Sequence, residues 1–152
     1  YVARRLIRFA SEDVGLANPN ALVQAVSAYQ ACHYNGMPEC NVNLAQVVVY
    51  LSLSPKSNSL YTAYIAASSD ARSTMQEKVP LHLRNAVTKL DSELGNGKGY
   101  QYAHDYENKI TNMKCLPDSL KNKKYYHPTD SGHEKQFLEN LRKIEAIKKN
   151  IK

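Results

Sequence analysis

The feature that most constrains the fold is an uninterrupted apolar segment between two prolines, Pro38 and Pro55. Its central part, Val47 to Leu53, contains three valines and a tyrosine, which favour a pleated strand. The segment is nevertheless about sixteen residues long without a turn signal, which is long for a strand and usual for a helix. It therefore predicts a helix that is apolar nearly all round, and hence central.

Three further segments have apolar residues at helical spacing, and each is expected to be a helix. They are residues 1–15, 18–36 and 57–76. Asn18 is the expected N-cap of the second segment, with Pro19 at the first helical position, where the N–H that proline lacks is not needed. Gly36 is its expected end, and Ser57 or Asn58 is expected to cap the third segment.

The chain loses this regularity after Gln76. Residues 77–94 allow short helices, and Gly95 follows them directly, as a helix stop would. Residues 96–128 then form a long irregular stretch that is rich in tyrosine and histidine. We therefore expect residues 1–76 to form the helical core and the rest to be looser.

The last segment, Gly132–Ile151, has the pattern of an amphipathic helix, with caps expected from Thr129 to Ser131. Glu139 with Lys143 and Glu145 with Lys149 are spaced as ion pairs four residues apart. With this helix the prediction is an all-α fold: a single domain over residues 1–152 that ends in a basic helix.

Composition agrees with an ordinary globular domain, with 43% apolar and 22% charged residues. The three cysteines are an odd number, which argues against a disulfide framework and for a reducing compartment, so we expect the cytoplasm. No apolar run is long enough to span a bilayer, and we expect no membrane partner. Because the helical pattern is already under way at Tyr1, we also expect a domain from a longer protein.

The stretch GNGKGYQYAHDY, residues 95–106, invites comparison with phosphate-binding loops. A nucleotide-binding P-loop requires G-x-x-x-x-G-K-[ST] between a strand and a helix. Here Gly97-Lys98 is followed by Gly99 instead of a hydroxyl residue, and the position five residues before Gly97 is a serine. The stretch predicts a structural loop, without a catalytic or cofactor-binding residue.

The His104-Asp105 pair suggests a second enzyme class, the helical metal-dependent phosphohydrolases. His82, His104, Asp105 and Asp130 occur in the order in which such enzymes hold divalent metals, and their side chains suit those ions. Those enzymes place the dipeptide on a core helix, whereas here it follows a glycine loop. The hydrolase stays a remote alternative, and we expect no bound metal.

The positive charge is concentrated near the end of the chain. Residues 121–152 have nine basic and four acidic residues, whereas residues 1–120 have eleven and ten. This region begins with basic and aromatic side chains that single-stranded nucleic acid prefers. The candidates are Lys121, Lys123, Lys124, Tyr125 and Tyr126. They predict either a nucleic-acid-binding module or a solvated lysine loop anchored by its tyrosines.

The helices predicted over residues 18–36 and 38–55 have more apolar surface than one monomer core requires. Surplus apolar faces indicate either a wholly buried helix or a contact between subunits. The candidate interface residues lie in the N-terminal helices. They are Leu22, Val26, Tyr29, Leu60 and Tyr64.

Four stretches resemble, in order, the C-terminal region of the RarA/MgsA family of AAA+ ATPases. They are ARRLIRFASEDVGLANP, GMPECNVNLAQVVVYLSLSPKSNSLY, PLHLRNAVTKL and GKGYQYAHDY. These ATPases are relatives of the clamp-loader ATPases and of the Werner-helicase-interacting protein. The resemblance covers nearly all of residues 1–136, with Val87 where we expect proline and Asn96 where we expect tyrosine.

The resemblance implies an all-helical domain akin to the clamp-loader collar, through which subunits form a homotetramer. The ATPase core, with the ATP and Mg²⁺ it uses, would lie before Tyr1, so this chain is not expected to be an enzyme. The parent would be a DNA-dependent ATPase of replication-fork maintenance, recombination and repair. Its expected partners are a second copy of itself and DNA, and its expected place is the cytoplasm, with the nucleoid.

Overall fold

The computed structural model describes residues 1–151, and all regular structure in that range is helical. Six α-helices occur in this order: α1 Val2–Phe9, α2 Asn20–Asn35, α3 Asn41–Leu53, α4 Ser59–Ser73, α5 Lys89–Glu93 and α6 Glu134–Asn150. The all-α prediction is confirmed. Within the described range, no helix is both long enough and apolar enough to cross a membrane.

Short turns of other helix types connect these elements. A π-helical turn, Ala10–Val14, and a 3₁₀ turn, Gly15–Ala17, continue α1 almost to α2. A 3₁₀ turn, Leu81–Leu83, lies in the segment predicted to form short helices, and residues 96–128 contain two more, Ala103–Asp105 and Asp118–Leu120. The predicted irregularity of residues 96–128 is therefore confirmed.

The chain divides into two compact units. The first comprises Tyr1–Ser68 and Tyr125–Asn140, and the second comprises Ser69–Lys124 and the chain from Leu141 onward. Both α4 and α6 therefore begin in the first unit and end in the second. The predicted single domain with a division at residue 76 stays a prediction.

The core of the first unit is built from small residues on α2. Ala21, Ala25 and Ala28 are buried there against α1 and α3, where Val47 and Leu51 of α3 complete the contact. Residues three and four apart share one helix face, so the alanines form a narrow stripe against which neighbouring helices pack closely. Partly buried side chains surround this core: Leu6, Ile7, Phe9 and Tyr50.

The helix α3 is confirmed, but the prediction that it is central on all sides is wrong. Val47 and Leu51 are its buried residues, whereas Val42, Val49 and Leu53 are 73%, 57% and 82% exposed. The reason is that α3 contacts α1 and α2 with one face. Leu44 and Tyr50 are half-buried, and Val42, Val48, Val49 and Leu53 are exposed in this chain.

Two residues predicted as caps accept hydrogen bonds at helix starts, although α2 begins at Asn20, with Pro19 and not Asn18 at its N-cap position. The Oδ1 of Asn18 accepts from the backbone N–H of Asn20 at 3.2 Å, which satisfies one donor at the start of α2. The hydroxyl oxygen of Ser57 accepts from the N–H of Ser59 at 3.3 Å, so Ser57 caps α4. Gly36 ends α2 as expected, with φ of +72°.

The predicted ion pairs of α6 do not form. The Glu145 carboxylate instead lies 2.5 Å from the ammonium of Lys124, and within residues 1–151 neither Glu139 with Lys143 nor Glu145 with Lys149 makes an ion pair. Exposed pairs of this spacing contribute only about 0.3–0.5 kcal/mol, so a competing partner easily displaces them.

Candidate functional site

The helix α2 has its small residues inside and its large apolar residues outside. Ala21 and Ala25 are at most 1% exposed, whereas Leu22, Val26 and Tyr29 are 41%, 36% and 45% exposed. A surface helix ordinarily places its larger apolar residues in the core, because burial of a large side chain contributes more free energy than burial of a methyl group. The outward face of α2 is therefore unusually apolar for a solvated surface.

The same arrangement occurs on α4. Its buried residues are Ser59 and Ala63, while Leu60 and Tyr64 are 40% and 71% exposed. Thus all five predicted interface residues lie on the outside of the first unit. The structure adds exposed apolar residues that sequence reasoning did not single out: Val23, Val48, Val49, Tyr61 and Ile65.

We refer to the exposed apolar side chains of α2, α3 and α4 as the outer apolar set. Its members are Leu22, Val23, Val26, Tyr29, Tyr34, Val42, Val48, Val49, Leu53, Leu60, Tyr61, Tyr64 and Ile65. The exposure of Val48 and Val49 could have been anticipated from the sequence, because α3 is apolar on more than one side. What the sequence did not provide was which side the alanines of α2 would take.

Glu134, the first residue of α6, is completely buried and accepts several hydrogen bonds. Its Oε1 accepts from the hydroxyls of Ser59 and of Tyr126, the latter at 2.9 Å. Its Oε2 accepts from the hydroxyl of Thr129 at 2.5 Å and from the backbone N–H of Thr129 at 3.1 Å. Such a set of donors is what a buried carboxylate requires in place of water.

These contacts shift the pKa of the Glu134 carboxyl group and of the Tyr126 hydroxyl group. Burial alone would raise the pKa of Glu134, but the hydrogen bonds from Ser57, Ser59 and Thr129 outweigh it and lower the pKa to about 2. Burial and the hydrogen bond to the carboxylate raise the pKa of Tyr126 to about 12. At neutral pH the centre is therefore a carboxylate held by neutral hydroxyl groups, which serves the fold and is not poised for proton transfer.

The predicted nucleic-acid residues fall into different surroundings. Lys123 lies 3.0 Å from the carboxylate of Asp70, and Lys124 forms the ion pair with Glu145. Lys121 is exposed, while Tyr125 and Tyr126 are half-buried. The three lysines belong to the second unit and the two tyrosines to the first.

The glycine loop uses its backbone within the protein. The N–H of Gly97 donates to the carbonyl of Leu81 at 2.9 Å, and a Cβ at Gly97 would lie 3.5 Å from the carbonyl of Arg84. A phosphate cradle needs several N–H groups directed at the ligand. The Gly97 N–H has a structural partner instead, which agrees with the predicted structural loop.

The residues cast as a hydrolase site have other contacts. His82 Nε2 lies 2.6 Å from the carbonyl of Lys114, and the ring of His104 packs against Tyr102 with centroids 5.0 Å apart. Among residues 1–151, no group of three or more His, Cys, Asp or Glu side chains is placed to hold a metal ion. His82, His104, Asp105 and Asp130 are thus not brought together as a ligand set.

The two units differ sharply in charge. Over residues 69–124 and 141–151 the second unit has fourteen basic and eight acidic residues, whereas the first unit has five and six. The excess of positive charge is therefore carried by the second unit, and not by the unit that contains the outer apolar set. Sequence reasoning located the charge after residue 120, and the structure adds the basic residues between 72 and 114 to the same unit.

The family model described as "MgsA AAA+ ATPase C terminal" matches residues 1–145. The chain belongs to this family. This chain is also similar to proteins named "Replication-associated recombination protein A". The Coxiella burnetii protein is 45% identical over 148 residues, covering 95% of this chain and 34% of that protein.

Two further relatives of the same name give a similar result. The Haemophilus influenzae protein is 43% identical, covering 100% of this chain and 35% of that protein, and the Escherichia coli K12 protein is 44% identical, covering 93% and 32%. The chain thus spans about a third of the length of these relatives. The resemblance to the RarA/MgsA family is confirmed, and the matched family model is that of the C-terminal region.

Proposed function

We propose that this chain is the homotetramerisation domain of a RarA/MgsA-like AAA+ ATPase. The parent would be a DNA-dependent ATPase that acts in replication-fork maintenance, recombination and DNA repair. The names of the relatives support the role in replication and recombination. The family supports a position after an ATPase core.

The observation that carries the assembly role is the inverted face of α2. Leu22, Val26 and Tyr29 are exposed on the flank of α2 one position, about 100°, round from the buried alanines, and α4 repeats this pattern with Leu60 and Tyr64. Full burial of a large apolar side chain contributes about 1.5–3 kcal/mol, and a subunit contact would recover the part of this that corresponds to the exposed fraction of each residue. Closed symmetry is the usual form of a homo-oligomer, and a tetramer is the form that the family resemblance implies.

In this proposal, assembly is the task of this chain, and the chemistry is the task of the rest of the parent protein. The chain itself catalyses no reaction, since ATP and Mg²⁺ are handled by the ATPase core of the parent. DNA is contacted through the whole protein, and no membrane is involved. Localisation in the cytoplasm with the nucleoid follows from the proposed role on replicating DNA.

Light scattering coupled to size exclusion tests the proposal. At high micromolar concentration the wild-type chain should have a mass near that of four chains. Replacing Leu22 and Val26 together with aspartate should shift the mass towards a monomer, because both charges would have to be desolvated in the contact. Gln136→Asp with Asn140→Asp is the matched control, since it adds equal charge at exposed positions of α6.

A strict monomer of the wild-type chain at that concentration would contradict the proposal. Equal dissociation of the test and control variants would contradict the assignment of the contact to α2. Circular dichroism on all three proteins verifies that the helices are retained.

A further inference from the structure

The second unit contains a cleft of about 480 Å³ between two segments of its chain. One wall is residues 77–84 and the other is residues 114–121. The hydrogen bond between His82 Nε2 and the Lys114 carbonyl, 2.6 Å long, connects the two walls. The cleft is therefore a feature of packed loops, and no contact assigned so far uses it.

The rim of the cleft is basic. Lys78, Arg84, Lys114 and Lys121 line it together with two carboxylates, Glu77 and Asp118, which leaves a net charge of +2 without His82. Among residues 1–151, no carboxylate lies within 4 Å of the ammonium groups of the three lysines. The Nε of Arg84 donates to the carbonyl of Val79 at 2.7 Å, which fixes the guanidinium in place.

This rim differs from the lysines that follow it in the chain. Lys123 and Lys124 lie against Asp70 and Glu145, so their charge is already balanced within the unit. Within the described part of the chain, no carboxylate forms an ion pair with a cleft lysine, and the second unit as a whole has an excess of basic residues. An anionic partner therefore gains more at the cleft than at the lysine pair.

The floor of the cleft is apolar, and no phenylalanine, tyrosine or tryptophan is among the described residues that line it. Val79 and Leu81 are 57% and 48% exposed there, and the half-buried Leu116 lines it together with Pro80 and Pro117. Single-stranded nucleic acid gains much of its affinity from stacking of bases on aromatic rings, for which the cleft offers only the imidazole of His82, already engaged by the Lys114 carbonyl. Aliphatic side chains of a peptide fit such a floor better than bases do.

We propose that this cleft binds an acidic peptide segment of a partner protein, with aliphatic side chains of the peptide on the floor and its carboxylates on the lysine rim. The inference does not depend on the assembly proposed above, because the cleft and the outer apolar set belong to different units. Peptide contacts of this size give affinities in the micromolar range, and the charges mainly steer association.

Fluorescence anisotropy with a labelled synthetic peptide tests the proposal on the complete 152-residue chain. The probe has about ten residues, with glutamates flanking two adjacent leucines. Two comparison peptides carry serines in place of the leucines, or lysines in place of the glutamates. The probe should bind with a Kd of tens of micromolar at low salt, and both comparison peptides should bind at least about tenfold more weakly.

Two pairs of variants locate the site. Lys78→Glu with Lys114→Glu should weaken binding at least about tenfold, whereas Lys89→Glu with Lys98→Glu, with the same charge change outside the cleft, should not. Leu81→Ser should also weaken binding, while Leu90→Ser, an exposed leucine of the same unit, should not. Thermal unfolding checks each variant, and Lys121→Ala replaces the double variant if that protein does not fold.

Three outcomes would overturn the inference. The first is no saturable binding of the probe at millimolar protein. The second is equal weakening by the control lysine pair, which would make the effect one of overall charge. The third is a single-stranded oligonucleotide that binds more tightly than the peptide and loses its affinity in the same cleft variants, which would make nucleic acid the occupant.

Discussion

Glu134 accepts a hydrogen bond from the hydroxyl of Ser59, 75 residues earlier in the chain. The first residue of α6 is thereby fixed to the first residue of α4. The same carboxylate also holds Thr129 and Tyr126, so the segment that leads into α6 is tied down at one buried point. The fold of the first unit should therefore be sensitive to the loss of this carboxylate.

Replacing Glu134 with alanine should lower the free energy of unfolding by about 3 kcal/mol, because the donors of Ser59, Thr129 and Tyr126 lose their acceptor. Urea unfolding followed by circular dichroism measures the change. Glu139→Ala, an exposed glutamate of the same helix without an ion pair in the described structure, is the control and should change stability by less than about 0.5 kcal/mol.

The same carboxylate predicts a pH dependence. Because the pKa of Glu134 is lowered to about 2 from an ordinary value of 4.5, its contribution to stability is complete above pH 4.5 and is lost as the pH falls towards 2. The urea midpoint of the wild-type chain should therefore fall between about pH 5 and pH 3, and Glu134→Gln should show a smaller fall. A Glu134→Gln protein with the same acid sensitivity as the wild type would contradict the prediction.

Gly132 lies in the turn before α6 with φ of +52°, and a Cβ there would lie 2.2 Å from the carbonyl oxygen of Ala17. Gly132→Ala should therefore cost more than about 3 kcal/mol, since a backbone clash adds to the strain of a left-handed residue. Gly99→Ala is the control: its φ is +85°, but no atom lies within 4 Å of the added Cβ. It should cost only about 1 kcal/mol, as measured by thermal or urea unfolding.

The two faces of α2 predict opposite effects for neighbouring positions. Ala25→Leu should destabilise the fold by about 1–3 kcal/mol, because the 1% exposed methyl group leaves no room for a larger side chain. Val26→Ser should change the unfolding free energy of dilute protein by less than about 0.5 kcal/mol yet weaken self-association. Urea unfolding at low concentration and light scattering at high concentration separate the two effects. Equal destabilisation by both variants would show that α2 does not divide in this way.

ATP should not bind to this chain. The N–H of Gly97 is engaged by the Leu81 carbonyl, and the loop lacks the serine or threonine that a P-loop places after its lysine. Isothermal titration calorimetry of the chain with ATP and Mg²⁺ should show no saturable heat. Binding at micromolar affinity that Lys98→Ala abolishes would show that the glycine loop is a nucleotide site.

The sequence predicted those parts of the fold that depend on local chemistry. Asn18 and Ser57 accept hydrogen bonds from N–H groups two residues later, so the residues that form each cap are visible in a short window of sequence. The helical state of α3 followed similarly from its length between prolines. The five predicted interface residues are exposed as an interface requires, although their contacts stay a prediction.

The parts that the sequence did not predict depend on partners far away in the chain. The exposure of Val49 and Leu53 depends on which face of α3 meets α2, and periodicity cannot decide this for a helix that is apolar on several sides. The burial of Glu134 depends on Ser59, and Glu145 pairs with Lys124 rather than within its own helix. No local pattern marks a contact between residues that are 75 or 21 positions apart.

Each unit is assembled from two stretches of chain that are not neighbours in the sequence. The helical spacing of apolar residues ends at residue 76. A gene fragment that ends there would omit residues 125–140 and leave Ser59 without Glu134 as its acceptor. Trimming from the C-terminus therefore removes part of the first unit before it removes all of the second. Expression of the first unit by itself requires an internal deletion of residues 69–124, with a linker that returns the chain to Tyr125.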